Sequence, residues 1–190
     1  MRPSEEDRSA MTPMDFHRRY GPRFLKMDGA QSYVVPIKPE FHALLFPDAE
    51  EQLSLSAGAH PFGNSIRKAY LCHAQVRQVQ PGDVLLFYRS HQGQGVRIVG
   101  VAEDTLVSDN AATIARFVGT RTVYSYKQIQ EMAAKPVLVI LFRQARILTP
   151  AVPLKDLRSN GVVRGVPQSI VAAQEEARPY LTRLLGWSEG

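Results

Sequence analysis

The sequence predicts an α+β fold in which short helices surround a small mixed or antiparallel β-barrel. Apolar segments of strand length alternate with segments of helical periodicity, without the regular strand–helix–strand spacing of a parallel α/β sheet. The longest apolar segment, Val137 to Ile147, starts with enough aliphatic residues to be covered on both faces. Together, these features favour a closed or nearly closed sheet over an open one.

The first predicted strand is Ser32 to Ile37, and a helix from Pro39 to Phe46 follows it with proline in its first turn. Residues 48–62 are acidic and then small and polar, which is typical of a loop. From Ser65 to His73, apolar side chains recur at spacings of three and four residues, which predicts a helix.

Two further strands are predicted around a glycine-rich loop in the middle of the chain. Pro81-Gly82-Asp83 predicts a turn, because proline sets φ and glycine accepts positive φ. Val84 to Ser90 and Val96 to Ala102 then read as strands. Gly100 indicates a bulge or a close approach within the second of them.

The C-terminal half alternates helices with strands. Asp109 to Val118 predicts a helix capped by Asp109 or Asn110. Arg121 to Tyr124 predicts a short strand, and Ser125 the cap of another helix. After the long strand, Val152 to Asn160 predicts a helical turn. A last helix follows residues 168–170 and ends near Leu185.

The length and composition allow one domain with a hydrophobic core. Residues 1–30 mix charges, proline and glycine, which predicts a flexible N-terminal tail or linker before a domain spanning residues 31–187. No segment is apolar enough to span a bilayer or to form a signal peptide, and Cys72 is the only cysteine. These features predict a cytoplasmic protein without membrane association.

The sequence offers little support for catalysis. Its five histidines lack zinc-ligand spacing, and the common nucleotide-binding, hydrolase and metalloprotease motifs do not occur. Cys72 beside His73 reads as a small thiol next to an exposed histidine, and adjacent Glu103 and Asp104 would face opposite ways on a strand. We therefore expect no enzyme activity, metal or cofactor. A hydrolase or nuclease using Glu103, Asp104 or His91 is the less favoured alternative.

A nucleic-acid partner is better supported, because the formal net charge is +5 and arginines and lysines occur close to aromatic residues. Basic side chains neutralise phosphates, and aromatic rings stack on bases. Composition alone does not distinguish this arrangement from a solvated basic surface around an aromatic core.

The sequence from Pro61 to Glu103 resembles the EVE domain of the PUA-like superfamily, which also includes the YTH and ASCH domains. Five features occur in the family's order. They are the basic stretch Asn64 to Lys68, the turn Gln80 to Asp83, the segment Leu86 to Ser90, a glycine-containing loop, and the strand Val99 to Glu103. A weaker similarity occurs at Val166 to Ile170, before the last helix.

The resemblance implies a PUA-like mixed β pseudobarrel whose mouth accommodates a single flipped base, modified or unmodified, of DNA or RNA. The residues that it places in the base pocket are Phe62, Asn64, Ser65, Tyr88, Ser90, His91, Gln168 and Ser169. The residues that it places against phosphates are Arg67, Lys68, Arg89 and Arg97.

One departure from the family leaves an alternative open. The family's pockets commonly use tryptophan, whereas the only tryptophan here is Trp187, close to the C-terminus. Another aromatic residue then replaces it, or the pocket binds something else. The alternative function is a regulatory or partner-binding PUA-like domain of a toxin-like or acetyltransferase-linked system, with a protein partner.

Overall fold

The structure, a computed structural model, describes residues 3–22, 24–50, 66–76, 78–90 and 94–185, in which six strands form one mixed sheet. The strands are β1 Ser32–Ile37, β2 Arg67–Cys72, β3 Val84–Arg89, β4 Gly95–Ser108, β5 Val137–Pro153 and β6 Val171–Ala172, in the spatial order β2-β5-β4-β3-β1-β6. The helices are α1 Glu5–Ala10, α2 Pro13–Tyr20, α3 Pro39–Leu45, α4 Pro47–Glu50, α5 Ala111–Val118, α6 Tyr126–Met132, α7 Leu154–Ser159 and α8 Arg178–Leu185. Strands β1 and β3 are parallel, and the other neighbours are antiparallel.

The sheet curls into a pseudobarrel whose seam lies between β2 and β1. These two strands are not neighbours in the sheet, yet the hydroxyl of Tyr70 on β2 donates to the carbonyl oxygen of Pro36 on β1 at 2.7 Å. Pro36 has no N–H, so its backbone can accept a hydrogen bond but cannot donate one. The side chain of Tyr70 supplies the donor that links the two strands.

The interior of the barrel is filled by alternate residues of all five long strands. At its centre the ring of Phe87 lies 4.7 Å from that of Phe142 and 5.0 Å from that of Phe46, measured between centroids. Gly100 of β4 makes this packing possible, because a Cβ there would lie 2.8 Å from the Phe142 ring. The close approach expected at Gly100 is confirmed, and the ladder between β4 and β5 shifts register beside it.

Two outer layers cover the remaining strand faces. On one side α7 and α8 pack against β3 and β4 through buried residues such as Leu157 and Leu181. On the other side α5 and α6 pack against β2 and β5 through Ile114 and Ile129. The long strand β5 is thus covered on both faces at its start, as its composition predicts.

Most of the other predicted elements are confirmed. Strand β1 has the predicted bounds, and β3 ends one residue earlier than expected. Gly82 adopts φ of 97° in the predicted turn. The side chain of Asn110 caps α5, and Ser125 forms a capping box with Gln128 at the start of α6.

Three predictions of local structure are wrong. Arg67 to Cys72 is a strand rather than part of a helix, and Arg121 to Tyr124 contains the end of a 3-10 turn and no strand. The last helix starts only at Arg178, after the short strand β6. Strand β2 is buried on both faces, so its apolar residues lack the alternation that marks a strand and happen to match helical spacing.

The N-terminal residues also differ from the tail predicted for them. They form α1 and α2, and Phe16, Tyr20 and Phe24 make a small apolar cluster. Leu25 and Met27 join the core beneath α8. Among all the described helices, none is long and apolar enough to cross a bilayer.

Helix α2 carries a buried histidine beside charged groups of the barrel. His17 is 1% exposed, and neither ring nitrogen has a hydrogen-bond partner within the described ranges. Burial first, and then the positive charge of Arg143, lower the pKa of His17 to about 4, while Glu103 acts in the opposite direction. His17 is therefore neutral at pH 7.

Acidification from pH 7 to 5 should destabilise the protein through His17. The unfolded chain binds a proton at His17 below about pH 6.5, whereas the folded chain does so only near pH 4. The stability is therefore complete above pH 6.5 and falls between pH 6.5 and 4, by at most about 1.4 kcal/mol per pH unit. Urea denaturation at both pH values measures this loss, and the His17→Leu variant should lack it. A variant with the wild-type pH dependence would contradict the assignment.

Candidate functional site

A cleft of about 610 Å³ opens at the mouth of the barrel, where the parallel strands β1 and β3 end. We call it the aromatic cleft. The residues that define it are Pro36, Phe41, Tyr70, Ser90, Gln94, Tyr124 and Gln168. A recess of about 270 Å³ shares Pro36, Tyr70 and Gln168 with it and extends to Ser169.

Three aromatic rings form its apolar wall. Phe41 of α3 and Tyr124, just before α6, contact each other with centroids 5.2 Å apart and planes inclined by 37°. Tyr70 reaches the cleft from β2 across the seam. Burial raises the pKa of both tyrosines above the ordinary value of 10, so both phenols are protonated at neutral pH.

Polar groups from separate segments face the same space. The Ser90 hydroxyl, which follows β3, donates to the carbonyl oxygen of Ile37 at 3.2 Å. The His73 Nε2 lies 2.9 Å from the carbonyl oxygen of Met132 and carries the proton, because a carbonyl only accepts. Gln168 is exposed at the rim, and its amide offers both donors and an acceptor. The cleft thus pairs ring faces with hydrogen-bonding groups.

The structure brings three of the eight predicted pocket residues together at this cleft, namely Ser90, Gln168 and Ser169. Tyr88 does not belong with them. It is fully buried in the outer core beneath α8, because position 88 of β3 faces outward while position 87 faces the barrel interior. The expectation that Tyr88 lines the rim is wrong. Phe62, Asn64, Ser65 and His91 lie outside the described residues.

The predicted phosphate ligands fall in two places, with Arg67 and Lys68 consecutive on β2, and Arg89 and Arg97 on the paired strands β3 and β4. Arg89 ends β3 next to Ser90, and Arg97 lies on β4; both are half-buried. Lys68 is only 1% exposed, with its ammonium nitrogen 5.7 Å from the centroid of the Phe46 ring. Burial lowers the pKa of Lys68 to about 8, and Asp48 opposes this shift. A lysine this deeply buried is not accessible to a phosphate group. The expectation that Lys68 contacts phosphates is therefore wrong.

Arg67 belongs to a cluster around Glu103, at the other end of β2 from the cleft. The Glu103 carboxylate, whose side chain is 8% exposed, lies 3.2 Å from Arg67, 3.4 Å from Arg143 and 3.8 Å from Arg121. Three guanidinium groups thus share one carboxylate. Asp104 instead accepts from the backbone N–H of Thr105 at 2.8 Å. In the described parts of the chain, no group of three or more His, Cys, Asp and Glu side chains could hold a metal ion.

Phe41 and Tyr124, which form most of the wall, are not among the residues that the sequence predicts for the pocket. Phe41 reads as part of the apolar face of α3, and Tyr124 falls in a segment that was expected to be a strand. Their contact joins distant parts of the chain. The sequence signal for Tyr124 is the N-cap residue Ser125. It places Tyr124 just before α6, so the helix does not constrain the direction of its ring.

The curled sheet, its seam and the cleft at its mouth define an α+β protein built on a mixed β pseudobarrel. Solved structures identify this fold more closely. A crystal structure of ASCH from Zymomonas mobilis is similar to this chain with a TM-score of 0.55 and 16% sequence identity, over 83% of this chain and 98% of that one. A single-residue variant of that protein gives a TM-score of 0.59 and 14% identity, over 80% and 97%. The chain therefore has the fold of the ASCH domain.

Human THYN1, in complex with DNA that contains 5-methylcytosine, is more weakly similar. Its TM-score is 0.45 at 14% identity, over 84% of this chain and 99% of that one. No protein-family model and no curated protein matches the sequence.

Proposed function

We propose that this chain is a non-catalytic nucleic-acid-binding module that holds a single unstacked base in the aromatic cleft. The observation that carries the proposal is the convergence of Phe41, Tyr70 and Tyr124 with the polar groups of Ser90 and Gln168 in one open cleft. Its volume of about 610 Å³ lies within the range of small-ligand sites, roughly 300–1,000 Å³.

The chemistry of the cleft suits a base better than a purely apolar ligand. A base has a flat face that stacks on aromatic rings and an edge that needs donors and acceptors. The tyrosine rings supply the first, and the Gln168 amide supplies the second. Unstacking a base costs a few kcal/mol, which stacking and edge hydrogen bonds offset.

The absence of catalysis is part of the proposal. The carboxylate that sequence considerations singled out, Glu103, is held by three arginines away from the cleft. The His73 Nε2 proton is engaged by the carbonyl of Met132. Oligonucleotides incubated with the protein, with and without divalent metal, should remain intact on denaturing gels. Cleavage of the oligonucleotide or modification of its bases would contradict the proposal and indicate an enzyme.

Binding is tested directly by titrating fluorescently labelled oligonucleotides and following their anisotropy. Single- and double-stranded DNA and RNA, unmodified and modified, should be compared at several salt concentrations. We expect the logarithm of the binding constant to fall linearly with the logarithm of salt concentration, because phosphate contacts release counterions. If the protein binds none of these molecules at low salt, the proposal is overturned.

Replacing Gln168 with alanine should reduce the preference among bases by lowering affinity for the preferred base, while affinity for the other bases stays nearly unchanged. The change removes an exposed amide at the rim and leaves the aromatic wall in place. Loss of a bidentate amide–base contact would reduce discrimination by about 1–3 kcal/mol. Competition between homopolymeric oligonucleotides measures this effect. Gln130→Ala, an exposed glutamine on α6 that does not line the cleft, is the matched control. Equal base preference in Gln168→Ala and wild type would exclude Gln168 from base recognition.

A further inference from the structure

We infer that a second, basic groove beside α7 holds the phosphates of the same strand whose base enters the aromatic cleft; this inference rests on the proposed function. The groove has a volume of about 840 Å³ and lies between α7 and the chain segments around residues 163 and 174. Its polar lining consists of Lys155, Arg158, Ser159, Arg164, Gln174 and Glu176. We call it the α7 groove.

The α7 groove gathers positive charge that the protein itself does not neutralise. Lys155 and Arg158 are three residues apart on α7, so their side chains share one face of the helix, and both are exposed. Arg164 lies across from them and donates to the Gln174 side-chain oxygen at 3.1 Å. Within the described ranges, none of these three cations forms an ion pair with a carboxylate. Three cations and one carboxylate, Glu176, leave a formal charge of +2.

This arrangement contrasts with the cluster around Glu103, where arginines also come together. There the guanidinium groups surround a nearly buried carboxylate, which satisfies part of their charge. In the α7 groove the three cations are exposed to solvent, and Ser159 lines the same groove. Exposed guanidinium and ammonium groups beside a hydroxyl are the usual partners of phosphate oxygens.

The α7 groove and the aromatic cleft are joined by one short segment of chain. Val163 and Arg164 line the groove, whereas Val166, Pro167 and Gln168 line the cleft. Arg164 and Gln168 are four positions apart in the sequence, so their Cα atoms lie no more than about 14 Å apart. Phosphates along one strand of a duplex rise about 3.4 Å per nucleotide, so about four nucleotides span this distance. A strand with one base in the cleft therefore reaches the groove with its backbone.

The inference predicts that affinity depends on oligonucleotide length. A dinucleotide fills the cleft alone, whereas a 12-mer also reaches the α7 groove, and the wild type should bind the 12-mer more tightly. The double variant Lys155→Glu/Arg158→Glu should weaken binding of the 12-mer about tenfold and lower its salt slope, but leave dinucleotide binding unchanged. Glu176→Gln should strengthen binding of the 12-mer. Fluorescence anisotropy measures all three.

The control is Arg116→Glu, which changes an exposed arginine on α5, on the opposite side of the barrel from α7. It should leave both affinities near the wild-type values. If Lys155→Glu/Arg158→Glu behaves like Arg116→Glu, or if the wild type binds both lengths equally, the groove has no role and the cleft proposal stands. If the wild type binds neither length, the proposed function and this inference both fail.

Discussion

Replacing Phe87 with alanine should lower the free energy of unfolding by about 3–5 kcal/mol. The Phe87 side chain is fully buried at the centre of the barrel and contacts the rings of Phe46, Phe142 and Tyr70, with centroids 5.0, 4.7 and 5.8 Å away. Removing the ring leaves a cavity. The surrounding strands are held in place by their pairing and do not move in to fill it. Chemical denaturation followed by circular dichroism measures the loss.

Phe87→Leu is the matched variant for this prediction. Leucine keeps much of the buried volume but loses the ring contacts, so we expect the stability to fall by about 1–1.5 kcal/mol. A loss of less than 1 kcal/mol in Phe87→Ala would mean that the three phenylalanine rings do not pack as described.

The second large effect concerns binding rather than stability. Tyr124→Ala should weaken the affinity for single-stranded oligonucleotides by about 1–3 kcal/mol, the usual value of one base–aromatic stack. Tyr124 lines the cleft beside Phe41, and its ring is the part of the wall that a base would meet. Fluorescence anisotropy at low salt measures the change, with thermal denaturation run alongside to verify folding.

Two variants separate stacking from other causes. Tyr124→Phe retains the ring and should bind nearly as well as the wild type. Tyr126→Ala removes an aromatic side chain that is 52% exposed but does not line the cleft, and should have little effect. If Tyr124→Phe loses as much affinity as Tyr124→Ala, the hydroxyl and not the ring face makes the contact. Unchanged binding by Tyr124→Ala would exclude the aromatic wall from the interface.

The sequence was informative wherever one residue determines local geometry. The Pro81-Gly82 turn, the Asn110 and Ser125 caps and the close approach at Gly100 follow from backbone and capping preferences that act over a few residues. Strand β3 is apolar from Val84 to Phe87, and a glycine-rich loop follows it in the sequence, so its position is clear. These features together were enough to predict an α+β barrel.

The sequence was misleading wherever tertiary packing decides. Residues 67–72 became a strand because β5 pairs with them, and burial on both faces removed the alternation that would have revealed it. Tyr88 was assigned to the pocket, but the direction of a strand side chain depends on which face becomes the interior. The cleft unites residues of several distant segments. Among its described residues, the sequence predicts Ser90 and Gln168, and it also predicts Ser169 in the adjoining recess.

The bond between the Tyr70 hydroxyl and the Pro36 carbonyl has a consequence for how such a mouth can vary. In a fully paired barrel, backbone hydrogen bonds between neighbouring strands determine the width of the mouth. Widening the mouth therefore breaks several of these hydrogen bonds. Here the phenol of Tyr70 links the two rims. Exchanging that single side chain would resize the aperture and leave every backbone ladder of the sheet in register, so ligand choice and architecture can evolve separately.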